Sequence, residues 1–567
     1  MAWGAAYAQA LTPEQQALQE RQAQQELRLQ QERARQLQRQ QLRPDVRLEE
    51  AGSELGKGWL PAQEQPCFVI ERIELMGRDV ERFAWAAASA NVTDEGEADA
   101  AEGRCLGSRG INLVMGRIQN AIVAKGFVTT RVLAGPQDLS SGVFQLTVVP
   151  GTIRHIAFSQ DSSERARFGN ALPARAGDVL NVRDIEQALE NFKRLPTAEA
   201  DIQILPAQGE GAAAGQSDVL IIWKQARFWR ANASVDDAGS KVTGKRQGAV
   251  TLSLDHPFAI NDLLFVNVNH DLGGGEDGRR GTRGHSVHYS VPYGYWLLST
   301  TAGHNRYHQT VAGANALIEF SGQSDSVQLQ VSRLVYRDQV RKSTVGMQLW
   351  SRSSKNFIDD TEVEVQRRQT AGWEFSLNHR EFIGRAILDA NLSYKRGTGA
   401  LGAMAAPEEA FGEGTSRPKL LNADVQFSAP LAWGRQRFSY RGVWRAQWNR
   451  TPLVPQDRFS IGSRYTVRGF DGEAMLSADR GWLLRNDLDW IIGQSTQALY
   501  VGLDYGEVGG PSAANLAGRR LAGAVLGLRG QAFKGLAYDV FVSTPIKEPK
   551  RIVSAGHVSG FNLNWAY

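Results

Sequence analysis

The chain has no run of 18 apolar residues, which excludes a helical membrane protein. It has no excess of one charge either, with 64 Lys and Arg against 60 Asp and Glu. A dedicated nucleic-acid binder concentrates basic charge, so no nucleic-acid partner is expected. Proline is sparse, at 19 in 567 residues, and hydrophobic residues make up 42%, which excludes wholesale disorder. A β-barrel survives these exclusions, because lumen-facing polar residues dilute the hydropathy of its strands. The length is enough for about three ordinary domains.

Enzyme signatures are also missing. No H-E-x-x-H, G-x-S-x-G or Walker pattern occurs. Gly273 to Gly278 formally match G-x-G-x-x-G, but they lie between alternating segments and open no amphipathic helix. A long hairpin loop is the expectation there. His304 and His308 sit four apart on a predicted strand, where four residues span about 13 Å, so they do not form a metal site. No catalysis, cofactor or metal is expected.

Cysteine is limited to Cys67 and Cys105. In a reducing compartment they would be buried thiols, and in an exported protein a disulfide. Ala8-Gln9-Ala10 has the pattern that signal peptidase cuts after, so residues 1–10 read as a signal-peptide remnant.

What is present falls into zones of different texture. Residues 11–43 are rich in Gln, Glu, Arg and Leu. Thr12 caps a helix, Pro13 takes its first position, Gln15 closes the box and Pro44 ends it. Leu18, Leu27, Leu29, Leu37 and Leu42 make no continuous stripe, so this helix is solvated, paired in a coil or lodged in a water-lined cavity. Residues 44–65 form a linker broken by Pro44, Gly52, Gly56, Gly58 and Pro61.

Residues 66–152 and 153–225 read as two passes of one α+β scheme. In the first, a strand over 68–75 precedes a helix over 111–125, whose Ile111, Val114, Ile118 and Ile122 share a face. Strands over 129–133 and 143–149 close it. In the second, a strand over 153–158 precedes a helix over 183–195 carrying Ile185, Leu189 and Phe192. Strands over 201–205 and 218–224 follow.

From 226 to 567 the helical signal vanishes. Val327, Leu329 and Val331 alternate with Gln328, Gln330 and Ser332. Leu388, Ala390, Leu392 and Tyr394 alternate with Asp389, Asn391 and Ser393. At the usual spacing this zone supplies about 16 strands, a size found among membrane barrels. The end of the chain fits a barrel seam. Phe561, Leu563, Trp565 and Tyr567 share one face, while Asn562, Asn564 and Ala566 share the other.

One constellation stands out inside the zone. Val467-Arg468-Gly469-Phe470 lies in a turn-rich stretch. Some thirty residues on, strand parity places Leu499, Val501, Leu503 and Tyr505 on the lipid side. Asp504 then faces the lumen, with Gly502 and Gly506 beside it. A loop arginine entering the lumen would meet that carboxylate in a bidentate pair; a solvated Arg and a solvated Asp are the alternative.

With these residues in place, the chain resembles the two-partner secretion outer-membrane transporters (the TpsB family, of the haemolysin-activator, filamentous-haemagglutinin and contact-dependent-inhibition kinds). The likeness runs through the polar N-terminal helix, the linker and two polypeptide-transport-associated (POTRA) units. Cys67-Phe68-Val69-Ile70, Cys105, Gly126-Phe127-Val128-Thr129-Thr130-Arg131 and Gln137-Asp138-Leu139 look like family signatures of the first unit. Val467 to Phe470 look like the tip of the family's inward-folded loop, and Asp504 falls where its wall partner lies.

The resemblance implies a transmembrane barrel of about 16 antiparallel strands behind two periplasmic POTRA domains, with helix 11–43 plugging the pore. It implies an Arg468–Asp504 pair and a Cys67–Cys105 disulfide bracing the first unit. It also implies export of a TpsA-type exoprotein, unfolded, after its N-terminal secretion domain docks on the POTRA units. Phe561, Leu563, Trp565 and Tyr567 would be the signal read by the barrel-assembly machinery, and outer-membrane lipid would surround the wall. A barrel-assembly insertase of the same superfamily usually carries more POTRA units. A passive porin-type channel needs no large periplasmic part.

Overall fold

The computed structural model of the chain describes residues 25, 26, 29, 30, 32, 44–48, 54–312, 316–550 and 555–567. The expected signal remnant at 1–10 and the remainder of helix 11–43 lie outside the described residues.

The first α+β unit is built on helix α1 (Ser108–Ala124). Its Val114, Ile118 and Ile122 are fully buried, as a spacing of four on one helical face requires. The helix starts on a borrowed cap. Glu64 of the linker accepts hydrogen bonds from the backbone N–H groups of Gly107 (2.8 Å), Arg109 (3.0 Å) and Gly110 (2.9 Å). Desolvation works against that charge, but the three amide donors outweigh it and hold the Glu64 carboxyl below its ordinary value. Gly126 ends the helix with φ near +95°.

The expected strand over 68–75 is two strands, β1 (Phe68–Ile70) and β2 (Arg72–Met76), because they serve different sheets. β1 pairs with β3 (Arg104–Leu106), and the Cys67–Cys105 disulfide joins the chain at this ribbon. β2 runs parallel to β5 (Val143–Val149), which pairs antiparallel with β4 (Arg131–Leu133). Helical turns over Val80–Arg82 and Ala84–Asn91 were not legible beforehand, since their alanines carry no periodic apolar signal.

The second unit repeats the topology. β6 (Thr152–Phe158) runs parallel to β8 (Gln216–Gln225), and β7 (Ala198–Pro206) pairs antiparallel with β8. Helix α2 (Val182–Lys193) is capped by the Asn181 side chain, which accepts from Arg183 N–H at 2.9 Å. Its Ile185, Leu189 and Phe192 join Ile153, Val219, Ile221 and Trp223 in one core, and Leu263 of the next segment belongs to the same cluster.

From Trp229 onward, sixteen antiparallel strands pair in chain order and close into a barrel, and the two-residue strand Thr361–Glu362 extends one hairpin. The first strand, Trp229–Asp236, meets the last, Val558–Ala566, over a short seam running from Asn562 opposite Asp236 to Ala566 opposite Asn232. Side chains alternate across the wall. Val327, Leu329 and Val331 are exposed outward, while Ser326, Gln328, Gln330 and Ser332 line the interior. Leu563 and Trp565 of the last strand and Tyr567 just after it are exposed and Phe561 is half-buried, while Asn564 accepts a hydrogen bond from Asn232 (2.7 Å) across the seam. Gly273 to Gly278 form the loop between two long wall strands. His304 and His308 lie on a strand, as expected.

The second α+β unit is locked to the barrel rim by charge. Buried Arg337 donates to Glu186 (2.8 Å) and Glu190 (2.9 Å) of α2, and Lys342 pairs with Glu190 at 2.7 Å. Linker residues 44–48 pass through the same junction. Val46 and Leu48 donate their N–H groups to Glu190 (3.0 Å) and Glu186 (2.8 Å), and Asp45 pairs with Arg380 at 3.0 Å.

Candidate functional site

Between the wall strands Gln436–Asn449 and Arg480–Ile491 the chain folds into the lumen instead of crossing directly. A small hairpin, Phe459–Ile461 paired with Leu476–Ala478, forms the stem of this loop. Val467 and Phe470 of the tip are buried with Ile461, Leu476, Leu483, Val508 and Leu521, so the loop has its own apolar core against the wall. Thr466 fixes the turn, its hydroxyl oxygen accepting from Gly462 N–H (3.1 Å) and Ser463 N–H (3.0 Å).

Arg468 lies at the centre of the contact. Its Nε donates to Asp504 Oδ2 at 2.6 Å and its Nη2 to Asp504 Oδ1 at 2.7 Å, a bidentate pair. Its backbone N–H adds a third bond to Asp504 at 3.0 Å. The Asp504 side chain has no solvent exposure, and Arg468 is 4% exposed. The loop can come this close because the wall facing it is made of glycine. A Cβ on Gly523 would fall 1.7 Å from the Arg468 carbonyl oxygen, and one on Gly502 would fall 2.7 Å from Arg468 Nη2. A Cβ on Gly506 would meet Val467 at 2.9 Å. Gly469, with φ near +105°, turns the tip in a conformation that L side chains rarely adopt.

Sequence reasoning missed several partners. Asp487 also accepts from Arg468 Nη2 (2.6 Å) and lies 3.4 Å from Arg529, so the site is a network of two carboxylates and several guanidinium groups. The alternation Asn486-Asp487-Leu488-Asp489 was the available signal, since it places two carboxylates on the lumen side of one strand. Arg464 was also missed. It pairs with Asp237 and donates to the Phe561 carbonyl (3.3 Å), while Phe561 N–H donates to Asp237 (2.9 Å). The loop is thereby tied to the barrel seam.

The described residues of the N-terminal segment, all helical, lie inside the barrel. Gln25 Nε2 donates to the Gly472 carbonyl (3.1 Å) and to Glu473 (3.1 Å) beyond the loop tip. Thr243, in the loop after the first wall strand, donates to Glu26, Ser324 of the wall donates to Gln30 (2.8 Å), and Arg445 pairs with Glu32 (3.4 Å). Beside them a lumen cavity of about 1330 Å³ remains, lined by Ser, Thr, Asn and Gln together with scattered charges.

Residues 215–530 match the model of the haemolysin secretion/activation protein ShlB/FhaC/HecB family. The chain belongs to this family. As expected of a TpsB transporter, residues 68–151 match the ShlB-type POTRA domain and residues 152–206 a second POTRA model. The transporter is 37% identical over 512 residues to the outer membrane transporter CdiB-2 of Burkholderia pseudomallei (strain 1026b), covering 88% of this chain and 86% of that protein. It is 27% identical to the hemolysin transporter protein ShlB of Serratia marcescens, over 71% of each chain. Among solved structures it resembles CdiB from Acinetobacter baumannii, with a TM-score of 0.84 and 29% identity over 97% of this chain and 99% of that one. It is thus a two-partner secretion transporter of the outer membrane, with its POTRA domains in the periplasm.

Proposed function

We propose that this transporter moves an unfolded TpsA-type exoprotein from the periplasm to the cell surface through the barrel lumen, and that the structure described is its resting state. The observation that carries the resting state is the seating of Gln25, Glu26, Gln30 and Glu32 against wall and loop inside the barrel. A helix polar all round suits such a site. Its amides and charges meet wall hydroxyls and guanidinium groups, and no dry core is demanded of it.

The layout supports the following cycle. The N-terminal secretion domain of the partner adds a strand to a free edge of a POTRA sheet, where β2, β4, β6 and β7 each have one unpaired side. Docking beside α2 disturbs the junction through which residues 44–48 pass, and the plug leaves the lumen. The exoprotein then threads outward in extended form, and folding outside keeps it from returning. Arg468 anchors the loop, Asp504 holds it, Gly469 permits the tip and Phe470 seats it on the wall. The Cys67–Cys105 disulfide braces the first POTRA unit. Phe561, Leu563, Trp565 and Tyr567 present the last strand to the barrel-assembly machinery, and lipid solvates the outer wall.

The test is electrical. Deleting residues 11–43 should raise single-channel conductance in planar bilayers, since the lumen loses its occupant. Unchanged conductance in a correctly folded barrel rejects the plug.

A further inference from the structure

The outer wall changes character along its axis, and the register shows where. Across adjacent strands, Val266, Val287, Ala302 and Val327 form one outward row. Toward the POTRA end the next rows hold Tyr289, Thr300 and Leu329, then Val291, Leu298 and Val331. The hairpin Tyr293–Trp296 closes that end, and its Gly294 N–H donates to Asn170 of the second POTRA unit at 2.8 Å. Away from the POTRA end, one step of two residues, about 7 Å along the strand, brings Val268, His285, His304 and Asp325 into a row. The next step brings His270, Arg283, Arg306 and Gln323. The apolar belt therefore ends, on its outer-leaflet side, in a pair of arginines flanked by histidines.

The cluster is organised. Arg283 and Arg306 are directly opposite on neighbouring strands and both exposed. Like charges so placed repel each other. Among the described residues no carboxylate is paired with either; the one nearby, Asp325, is taken by His304 Nδ1 at 2.6 Å. His304 in turn accepts from Arg306 Nε at 2.9 Å through its other ring nitrogen, which orients the guanidinium and leaves its Nη groups free. The His285 ring packs against His304, with centroids 5.4 Å apart. Two guanidinium groups held side by side at the level of the headgroups suit one doubly charged tetrahedral anion.

We propose that Arg283 and Arg306, positioned by His304 and Asp325, bind the phosphate of a phosphorylated lipid of the outer leaflet. This goes beyond the transport reading and rests only on the outer-membrane barrel. The anion removes the repulsion between the two arginines and fixes this sector of the wall at the leaflet boundary, next to the loop that carries Lys241 and Thr243.

The full-length transporter and its R283Q/R306Q variant, each verified as a folded barrel by heat-modifiable gel migration, are placed in phosphatidylcholine nanodiscs and titrated with bisphosphorylated lipid A. The variant should bind at least about ten-fold more weakly. Wild type should show a similar loss toward lipid A stripped of its phosphates. The Arg385→Gln variant, altered in a turn at the POTRA end, should bind as wild type. Should the double variant not fold, Arg306→Gln alone should weaken binding about three-fold. Equal affinity for the phosphorylated and stripped lipids, or for wild type and a folded variant, overturns the proposal. So does full displacement by millimolar inorganic phosphate, which would indicate a plain anion site.

Discussion

Replacing Arg468 with Ala tests the loop anchor most directly. The substitution removes two bonds to Asp504 and one to Asp487 and leaves both carboxylates in place. Breaking a buried ion pair from one side costs about 3–5 kcal/mol. The lower end applies here. Asp504 keeps the backbone N–H of residue 468 at 3.0 Å and has Arg485 at 3.9 Å, while Asp487 keeps Arg529 at 3.4 Å. About 3 kcal/mol is about two decades in the docking equilibrium of the loop. Hydrogen exchange reads it. The amides of Gly462, Ser463 and Thr466, bonded within the loop, should exchange about 100-fold faster. Those of the wall strand Ala498–Gly509 should not change, because their ladder bonds do not depend on the loop. A double-mutant cycle with Asp504→Ala should give a coupling of about 2 kcal/mol. Exoprotein in the medium should fall at equal barrel abundance. Loop protection within about three-fold of wild type, or coupling below about 0.5 kcal/mol, refutes the anchor as described.

Other perturbations probe neighbouring parts. Gly523→Val places side-chain atoms where the Arg468 carbonyl lies, so it should expel the loop and copy the Arg468→Ala exchange pattern without removing any charge. The Cys67→Ser/Cys105→Ser variant opens a loop with a sequence separation of 38, a loss of about 4 kcal/mol by the chain-entropy model; calorimetry should show it in the POTRA transition and not in that of the barrel. Asp99 is buried beside Arg117 at 2.5 Å. Burial disfavours its charge, but the Leu60 N–H and the Arg117 guanidinium prevail and hold its pKa below the ordinary 3.8. Its contribution to stability is therefore complete above that value and lost as pH falls through the lowered one. Asp99→Asn should flatten the acid limb of POTRA unfolding, and an unchanged limb would assign acid sensitivity elsewhere.

The parts that were legible in advance were those carried by periodicity. Val114, Ile118 and Ile122 announced α1, and the alternation of Val327 to Ser332 announced both the strand and its outward face. Parity alone placed Asp504 inside the lumen, because a strand allows only two directions. What stayed hidden depends on long-range closure. Nothing near Glu64 shows that it caps a helix beginning over forty residues later. Arg464 and Asp237 are more than two hundred positions apart and meet only because the barrel brings its first and last strands together. The break between β1 and β2 was hidden for a related reason, since the choice of sheet belongs to the partners Arg104–Leu106 and Val143–Val149.

In the proposed cycle, the loop and the plug do not act as separate gates. Glu473 accepts from Gln25 of the N-terminal helix at 3.1 Å and from the Lys241 backbone N–H at 2.7 Å, and Ser240 bonds to it as well. Asp471, two residues earlier, pairs with Lys241 at 3.0 Å. One short stretch beyond the Arg468 anchor thus joins the N-terminal helix to the segment that follows the first wall strand, and that strand is half of the seam. Withdrawal of the helix takes Gln25 from Glu473 and leaves the carboxylate on the Ser240–Lys241 side alone. If plug and loop are coupled in this way, Glu473→Gln should loosen the plug while leaving the Arg468–Asp504 pair intact. Conductance events should become more frequent, and exchange at Gly462, Ser463 and Thr466 should stay at the wild-type rate. Loop exchange that rises together with conductance would mean that the anchor itself depends on Glu473, and the order of release would have to be reversed.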